Sequence, residues 1–316
     1  MVDVTVLGAI NWDINLFVDR FPEVGEEVPV REITRVPGGK AANVAVAAAR
    51  VLGSGRAALI GCLGGDEIAD AQIEILRGEG VVTSGIKVIE GEESGQAYII
   101  IDKVGRNFIN TYFGANLRLK PTDLHEPVIS GLLREAGIVT IIDPPLETIE
   151  EAAGMGREYR KTVVWDAGVR SVLGVERLRK VLANVDYLVV NEVELRNLTG
   201  AANPEEARGI LSKVNDEVRL IAKLGERGCV MVGPGEAARF KGVNLKELGM
   251  SVVNTVGCGD AFLGVFAASK AEGLDDWDAL ERANLAGALK AAKPETRGSP
   301  TRSELEKYLR LIKGKG

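Results

Sequence analysis

The sequence predicts an α/β fold: a doubly wound, mostly parallel central sheet with helices on both faces, plus a small β-sheet lid. Short apolar runs rich in β-branched residues alternate with longer helical patterns, as they do in sheets built from strand–helix units. Most of these runs are apolar on both faces, which is typical of strands covered on both sides. Two stretches break the alternation, because each has two strand-like runs with no helix between them.

The composition suits one α/β domain that spans residues 1–316, with the lid inserted in it. A chain of this length buries about three quarters of its unfolded surface, so it needs no disulfide or metal to fold. Its three cysteines have neither zinc-site nor disulfide spacing, which favours a reducing cytosol. The formal net charge of −6 argues against non-specific binding of nucleic acid or anionic lipid. We therefore expect a cytoplasmic protein with small-molecule partners, no nucleic acid and no membrane.

Two further features of the chain bear on its location and origin. No apolar run approaches the roughly 18 residues that a membrane span needs, and the N-terminal residues 1–13 lack the basic start of a signal peptide. Only two glutamines occur beside many charged residues, a balance typical of thermophilic proteins.

The elements of the main sheet follow from the apolar pattern in chain order. The predicted strands are 2–8, 57–64, 137–143, 161–168, 186–191, 218–225 and 228–233. The predicted helices are 41–52, 66–77, 146–160, 175–185 and a capped last helix with a basic end in 301–316.

Two hairpin-like segments form the predicted lid, at approximately 12–36 and 93–114. The second segment alternates polar and apolar residues around a turn at Gly105, as a hairpin with one solvated face does. These strands are either edge strands of the main sheet or a small sheet that leaves the core and returns. Two separated hairpins inside one α/β chain favour the small sheet.

The strongest motif lies in residues 251–273, where a short strand from Ser251 to Asn254 is expected to run into Gly257-Cys258-Gly259-Asp260 and then a helix. Glycines at such a turn let the backbone N–H groups face outward together at the positive end of the helix, which makes an anion site. An acid at a helix start is also a common N-cap. The two glycines and the small residues of the helix favour a functional role for Asp260.

Two other nucleotide-binding motifs are excluded. The chain has no GxxxxGK[ST] sequence, so it has no P-loop. Phe262 takes the place of the third glycine of GxGxxG, which argues against a dinucleotide site.

A second motif occupies residues 36–53. Gly38 and Gly39 let the backbone approach a ligand, while Lys40 and Asn43, which open a helix of small residues, offer hydrogen-bond donors for hydroxyl oxygens. The alternative interpretation is a glycine turn that begins an ordinary helix.

Two further motifs follow predicted strands. Asn191 and Glu194 come after the strand at 186–191, where α/β folds bind ligands and where magnesium needs only one or two carboxylates. The alternative is that these acids complement the helix dipole. Residues 223–228, KLGERG, form a turn between two strands and alone indicate only a hairpin.

In this order, the four motifs resemble the ribokinase-like (PfkB) carbohydrate kinase family. The segment 38–53 is similar to the family's N-terminal signature and 254–266 to its C-terminal signature; 191–194 fits its NxxE motif and 223–228 its LGxxG turn. Residues 94–124 resemble the lid and the GAN segment of ribokinases. The resemblance covers nearly the whole chain and implies a magnesium-dependent kinase that phosphorylates a hydroxyl of a small, sugar-like substrate.

The resemblance also implies roles for individual residues. Asp260 would be the catalytic base, and the amides of Gly257, Cys258 and Gly259 would form the anion hole. The acceptor would be bound by Asp13, Gly39, Lys40, Asn43, Asn116 and Asp143. The nucleotide would be bound by Asn191, Lys223, Gly225 and Asn284, with Glu194 holding magnesium through water molecules.

Two positions depart from the family pattern. Asn254 stands where potassium-activated members usually have Asp, which leaves monovalent-cation activation open. The segment 165–170, WDAGVR, replaces a more ribokinase-like NPAP. Cys258 is interpreted as a small filler that contributes its backbone N–H, and His125 as a surface residue.

The hypotheses differ in the acceptor. Ribose or a related small sugar leads; a nucleoside or a ribose phosphate is the alternative, with the same mechanism. A catalytically silent binding protein on a kinase fold is a third hypothesis, against which the GxGD and NxxE motifs argue. The resemblance implies ATP as the donor, with ADP open, and exposed strand edges in the lid favour a homodimer.

Overall fold

The computed structural model describes residues 1–104 and 106–314, so the predicted turn at Gly105 and the last two residues of the basic end lie outside the described residues. Thirteen strands are present in this part of the chain. In chain order they are β1 Val4–Gly8, β2 Asn11–Val18, β3 Val30–Gly38, β4 Ala57–Gly64, β5 Val81–Ile89, β6 Gly95–Ile101, β7 Asn107–Tyr112, β8 Ile138–Ile142, β9 Thr162–Asp166, β10 Tyr187–Asn191, β11 Arg219–Lys223, β12 Gly228–Gly233 and β13 Glu236–Lys241.

Nine strands form the main sheet, in the order β13-β12-β11-β10-β9-β8-β1-β4-β5. The pairs from β11 to β5 are parallel, and β12 and β13 add an antiparallel edge. The predicted fold class is confirmed. The prediction missed the two edge strands β5 and β13, because each carries exposed polar or charged residues and lacks the fully apolar pattern of the central strands.

Four strands form a second, smaller sheet in the order β3-β2-β6-β7. Strand β2 pairs antiparallel with β3 and parallel with β6, and β6 pairs antiparallel with β7. The two hairpin-like segments therefore lie side by side in a sheet separate from the main one. That this sheet closes over a substrate stays a prediction.

The helices are α1 Lys40–Leu52, α2 Glu67–Gly78, α3 Pro127–Glu135, α4 Leu146–Glu158, α5 Gly174–Arg177, α6 Arg179–Leu182, α7 Glu192–Thr199, α8 Pro204–Leu211, α9 Cys258–Ala271, α10 Asp276–Ala291 and α11 Arg302–Lys313. The single helix predicted at 175–185 is wrong, since the chain forms the two short helices α5 and α6 there. The capped last helix is present: Thr301 and Glu304 form a capping box at the start of α11. No helix of the described residues is long and apolar enough to cross a membrane.

The strand predicted from Ser251 to Asn254 is also wrong. This segment has no strand partner in the described chain; instead, the N–H groups of Val253 and Asn254 both donate to the carbonyl of Ala291, at 2.7 and 3.1 Å. Because both N–H groups bind one carbonyl oxygen at the end of α10, the segment lies against that helix end. These N–H groups are then not available to pair with a neighbouring strand.

Two hydrophobic clusters cover the two faces of the main sheet. Helices α1 and α9 belong to the same cluster and lie close together, because Gly264 of α9 has no side chain at the crossing. A Cβ added at Gly264 would lie 2.5 Å from Cβ of Ala47 and 2.6 Å from the carbonyl oxygen of Val44. This close approach brings the first turns of the two helices, which carry Asn43 and Asp260, into contact.

Candidate active site

Polar side chains line the carboxyl ends of four neighbouring parallel strands. Asp143 follows β8, Asp166 ends β9, Asn191 ends β10 and Lys223 ends β11. In open α/β sheets, ligands bind at this edge. The sheet order therefore places four residues from distant parts of the sequence along one line.

Asp260 lies in the first turn of α9, close enough to Lys223 and Asp166 of this line for their charges to affect its pKa. Gly257, at a φ of 84°, begins the helix without a side-chain cap, and the Asp260 carboxyl accepts a hydrogen bond of 2.8 Å from Nδ2 of Asn43. The N-cap alternative therefore does not describe Asp260, because Gly257 holds that position.

Burial raises the pKa of Asp260, and Asp166 adds to this effect. The hydrogen bond from Asn43 and the charges of Lys40 and Lys223 act in the opposite direction. A carboxylate with a raised pKa is a stronger base, as a group that takes a proton from an alcohol should be.

The turn before Asp260 can receive an anion. The N–H groups in the first turn of a helix have no intrahelical acceptor, so those of Gly259 and Asp260 point out of the helix end. A Cβ at Gly259 would lie 3.4 Å from Nζ of Lys223, which adds a positive charge at this point. The N–H of Cys258 differs, because it is directed at the carbonyl of Thr255 at 3.3 Å.

Asp13 lies on the small sheet, in β2, and faces the Asp260 end of the site. Its side chain occupies the space above Gly38, where any Cβ would overlap the Asp13 carboxyl. Burial raises the pKa of Asp13 to about 7; Arg297 opposes the rise and Asp260 contributes to it. Gly39 has a φ of 89° and would also overlap the backbone of Asn11 if it had a side chain.

Arg297 joins these groups, and sequence reasoning missed it. Its buried guanidinium donates to Oδ1 of Asn43 at 3.0 Å and to the carbonyl of Gly38 at 2.7 Å. Asn43 in turn donates to Asp260, so one chain of hydrogen bonds connects the glycine turn with the predicted base. An Arg beside Gly, Ser and Pro indicates an exposed loop, so no local signal identified it.

Lys40 and Asp143 form an ion pair between α1 and the end of β8, with Nζ and Oδ2 2.9 Å apart. Asp143 has a φ of 57°, in the left-handed region that non-glycine residues seldom adopt. Burial lowers the pKa of Lys40, but the charges of Asp143, Asp166 and Asp260 outweigh it and raise the pKa above its usual value. Lys40 is thus a fixed cation among three carboxylates.

Lys223 forms a second ion pair with Asp166, at 2.7 Å between Nζ and Oδ2. Burial opposes the charged form of each group, yet the Lys223 charge lowers the pKa of Asp166, and Asp166 and Glu194 raise that of Lys223. In the sequence, Asp166 was noted only as part of the segment 165–170, which departs from the family pattern. Its position at the end of a buried strand was the available signal.

Asn191 and Glu194 form a capping box at the start of α7. Oδ1 of Asn191 accepts from the N–H groups of Val193 and Glu194, and Oε2 of Glu194 accepts from the N–H of Asn191. Asn191 and Glu194 therefore have a structural role at the start of α7 as well. Burial and the neighbouring Asp166 nevertheless raise the pKa of Glu194.

Asp166 is buried and Glu194 is partly buried, and the two carboxyl groups are close enough for the charge of Asp166 to raise the pKa of Glu194. Such a pair suits a divalent cation, so Glu194 and Asp166 fit magnesium. No cluster of three or more metal-ligating side chains occurs among the described residues. Magnesium, which retains several waters and takes phosphate ligands, does not require such a cluster.

A cavity of about 410 Å³ adjoins the anion site. Lys223 and Gly225 lie at one wall, Cys258 and Gly259 at another, and Asn284 of α10 lies farther along. Nδ2 of Asn284 donates to the carbonyl of Lys241 at 2.8 Å, which fixes its orientation. The cavity brings together Lys223, Gly225 and Asn284, three of the four residues that the family resemblance assigned to the nucleotide; Asn191 is not among its lining residues.

The side-chain amide of Asn116 is hydrogen-bonded within the protein, so it is not free to contact a substrate. Its Oδ1 accepts from the N–H of Ile10 at 2.8 Å, and its Nδ2 donates to Ile10, Asn11 and Phe113. The amide thereby holds the bend between β1 and β2, which positions Asp13. His125 is exposed and lies 2.8 Å from Glu151, consistent with a surface role.

The similarity to known proteins extends over the whole chain. A model of pfkB family carbohydrate kinases matches residues 1–302. The chain is 31% identical over 309 residues to the ATP-dependent ribose-1-phosphate kinase of Halopiger xanaduensis, with 98% of each chain covered. It is 28% identical over 310 residues to the ribokinase of Haemophilus influenzae, with 96% of this chain and 97% of that protein covered.

The fold is shared with a solved ribokinase. The structure matches that of Arabidopsis thaliana ribokinase complexed with ribose and ATP with a TM-score of 0.85 and 26% identity, covering 98% of this chain and 99% of that one.

Proposed function

The chain belongs to the pfkB family of carbohydrate kinases, and we propose that it transfers the terminal phosphoryl group of ATP to a hydroxyl of ribose or a related small sugar. It is a phosphotransferase with an alcohol group as acceptor. One observation supports the assignment of the site: the Asp260 carboxyl, held by Asn43 at 2.8 Å, directly follows Gly259 of the cavity lining and is close enough to the buried Asp13 to raise its pKa.

The proposed mechanism depends on position and charge. The acceptor lies between Asp13 and Asp260, and Asp260 takes the proton from the attacking hydroxyl as its oxygen bonds to the γ-phosphorus of ATP, while the bond from that phosphorus to the bridging oxygen breaks and ADP leaves. The amides at the start of α9, with Lys223 beside them, receive the negative charge that develops on the phosphoryl oxygens. Phosphoryl transfer needs little covalent chemistry from the protein, so such positioning supplies most of the catalysis.

The nucleotide and the metal complete the proposed site. ATP lies in the cavity, with its phosphates toward Lys223 and Gly225 and its base toward Asn284. Glu194 and Asp166 would hold magnesium through its waters, and the ion would neutralise phosphate charge. The relatives named as ATP-dependent or solved with ATP support ATP over ADP.

A coupled assay of nucleotide consumption tests the acceptor and the donor. The panel contains ribose, other small sugars, ribose 1-phosphate, cytidine and adenosine, each with ATP or ADP. We expect ribose or a related sugar to give the highest kcat/KM with ATP. A response to nucleosides or to ribose 1-phosphate alone would reject the sugar as the acceptor.

The role of Asp260 is tested by Asp260→Asn. We expect kcat to fall by about 10³-fold or more, because the amide cannot take the proton, with nucleotide affinity measured by calorimetry largely retained. Asp70→Asn, which changes an exposed carboxylate on α2, is the matched control and should leave kcat unchanged. Equal turnover by Asp260→Asn and wild type would contradict the mechanism.

We also propose that the small sheet mediates a homodimer. The register places Trp12, Ile14 and Leu16 on the face opposite Asp13, in line with Tyr98 and Ile100 of β6. Phe108 and Tyr112 of β7 continue this face and are 59% and 47% exposed. Gln96 and Asn110 share this face, but most of its side chains are apolar or aromatic, and exposed apolar side chains grouped on one face are typical of an interface.

A further inference from the structure

Lys290 is a lysine of α10 with no exposed surface. Its Nζ donates to the carbonyl oxygen of Asn254 at 2.9 Å and more weakly to that of Lys293 at 3.4 Å. Within residues 1–104 and 106–314, no carboxylate oxygen lies within the 4.0 Å of an ion pair with this ammonium. Backbone carbonyls are therefore its ligands.

An ammonium buried in this way is costly. Burial lowers the pKa of Lys290, while Cys258, Glu295 and Asp260 act in the opposite direction. A buried charge without a paired carboxylate destabilises a fold, and an apolar side chain of the same length would avoid that cost. Such a group lying beside an active site suggests a functional role.

The carbonyl that Lys290 binds belongs to the residue that anchors the anion-site turn. Nδ2 of Asn254 donates to the carbonyl of Pro294 at 2.7 Å, and its Oδ1 accepts from the N–H of Val256 at 3.0 Å. Val256 directly precedes Gly257. A restraint on the Asn254 carbonyl is thus transmitted to the turn within three residues.

The stem of Lys290 also packs beneath the turn itself. A Cβ placed at Gly257 would lie 3.5 Å from Cε of Lys290 and would overlap the carbonyl of Thr296. The ammonium lies behind the helix end whose N–H groups face the anion site. A fixed positive charge there adds to the positive end of the helix dipole, where charge builds up during transfer.

We propose that Lys290 is a positioning residue for phosphoryl transfer: its buried ammonium fixes the turn from Asn254 to Gly257 and supplies positive charge behind the anion site. This inference rests on the proposed function. An ammonium held by backbone carbonyls takes ligands that a soluble monovalent cation would use, and its charge repels such an ion. The enzyme therefore needs no potassium, which answers the question raised by Asn254.

The test compares Lys290→Met with wild type in the full chain. Methionine is unbranched and fills the same path without the charge. Steady-state kinetics are measured with ATP and the best acceptor of the panel, in potassium-free buffer and with added potassium or ammonium chloride. Lys270→Met is the matched control, since Lys270 of α9 is also largely buried but bonds Leu274 and Asp276 at the far end of that helix.

We expect wild-type kcat to change by less than about twofold on addition of potassium. Lys290→Met should lose about 10- to 100-fold in kcat, less than a direct anion-hole donor, with the acceptor KM nearly unchanged and partial recovery in potassium or ammonium. Lys270→Met should retain kcat. Potassium-dependent wild-type turnover, or a Lys290→Met variant with full kcat, would overturn the proposal.

Hydrogen exchange gives a readout that does not need turnover. Amides in residues 251–260 should exchange faster in Lys290→Met than in wild type and at the wild-type rate in Lys270→Met. Equal exchange in Lys290→Met refutes the inference even when the enzyme is active. A wild-type protein that binds ATP but phosphorylates no acceptor refutes the proposed function, and the exchange result still decides whether Lys290 fixes the turn.

Discussion

Asp13 is a carboxyl group whose charge the folded protein disfavours. Its pKa rises to about 7 because it is buried and lies near Asp260, and Arg297 compensates only in part. In the proposed site, the ionised form of Asp13 would be the better hydrogen-bond acceptor for substrate hydroxyls. A ligand that donates hydrogen bonds to the Asp13 carboxyl would stabilise its ionised form.

The first prediction concerns the pH dependence of Asp13. We expect the acceptor KM to rise as the pH falls through about 7, because protonation removes a hydrogen-bond acceptor from the site. The pH profile of kcat/KM for the acceptor measures this, with the nucleotide saturating. A flat profile between pH 6 and 8 (on the order of one pKa unit on each side) would contradict it.

The same shift predicts an effect on stability. Because the folded pKa exceeds the ordinary value of 3.8, the folded state binds more protons between these values, so stability falls as the pH rises from 3.8 to about 7. Asp13→Asn should therefore stabilise the fold above pH 7 by about 1–4 kcal/mol, at the rate of 1.4 kcal/mol per pKa unit. Denaturant unfolding measures this, and Asp70→Asn should show no such gain.

At the scale of elements, the crossing of α1 and α9 brings the site together. Asn43 and Asp260 lie in the first turns of these helices, and Gly264 permits the helices to approach. Both helices are rich in alanine, and α9 also contains Gly259 and Gly264, so a close crossing displaces few bulky side chains.

The second prediction is the effect of Gly264→Ala. The added Cβ would lie 2.5 Å from Ala47, so the helices must separate; we expect a loss of about 1–3 kcal/mol in unfolding free energy. The kcat should also fall, because the bond between Asn43 and Asp260 lengthens. Gly209→Ala, in α8 with open space around it, should be neutral or stabilising. Wild-type stability and kcat in Gly264→Ala would show that the helices tolerate a wider crossing.

At the scale of the whole molecule, the small sheet has two different faces. Asp13 and Asn15 lie on one, and Trp12, Ile14 and Leu16 lie on the other. A sheet that offers one face to a substrate and an apolar face to solvent is completed by a partner on the second face. A second copy of the chain is the partner that we propose.

The third prediction follows from that proposal. Phe108→Glu should convert a dimer to a monomer of half the mass in sedimentation experiments, because a charge on this face of the sheet cannot be buried unpaired. Val128→Glu places the same charge on exposed α3, away from the sheet, and should leave the mass unchanged. A monomeric wild-type protein would reject the homodimer. The thermophilic origin inferred from composition stays a prediction.

The sequence by itself determined the fold class and the nucleotide-side motifs. Alternating apolar strands and helices imply a parallel sheet. Glycine turns between a strand and a helix can be recognised from the residues of the turn alone, because the backbone conformation of a turn depends on nearby residues. Short-range signals of this kind also indicated Asp260 and Asn43 as candidates, whereas the role expected of Lys223 came from the family resemblance.

Only the tertiary structure decided what surrounds those residues. Arg297 lies 254 residues from Asn43 in the chain and Lys290 lies 36 residues from Asn254, so no local pattern indicates that they are in contact. The segment at 251–254 looks like a strand because it contains the β-branched pair Val252 and Val253, yet the N–H groups of Val253 and Asn254 bind the end of α10. Burial and the charges that shift a pKa are properties of neighbours in space, and only the folded chain establishes which neighbours those are.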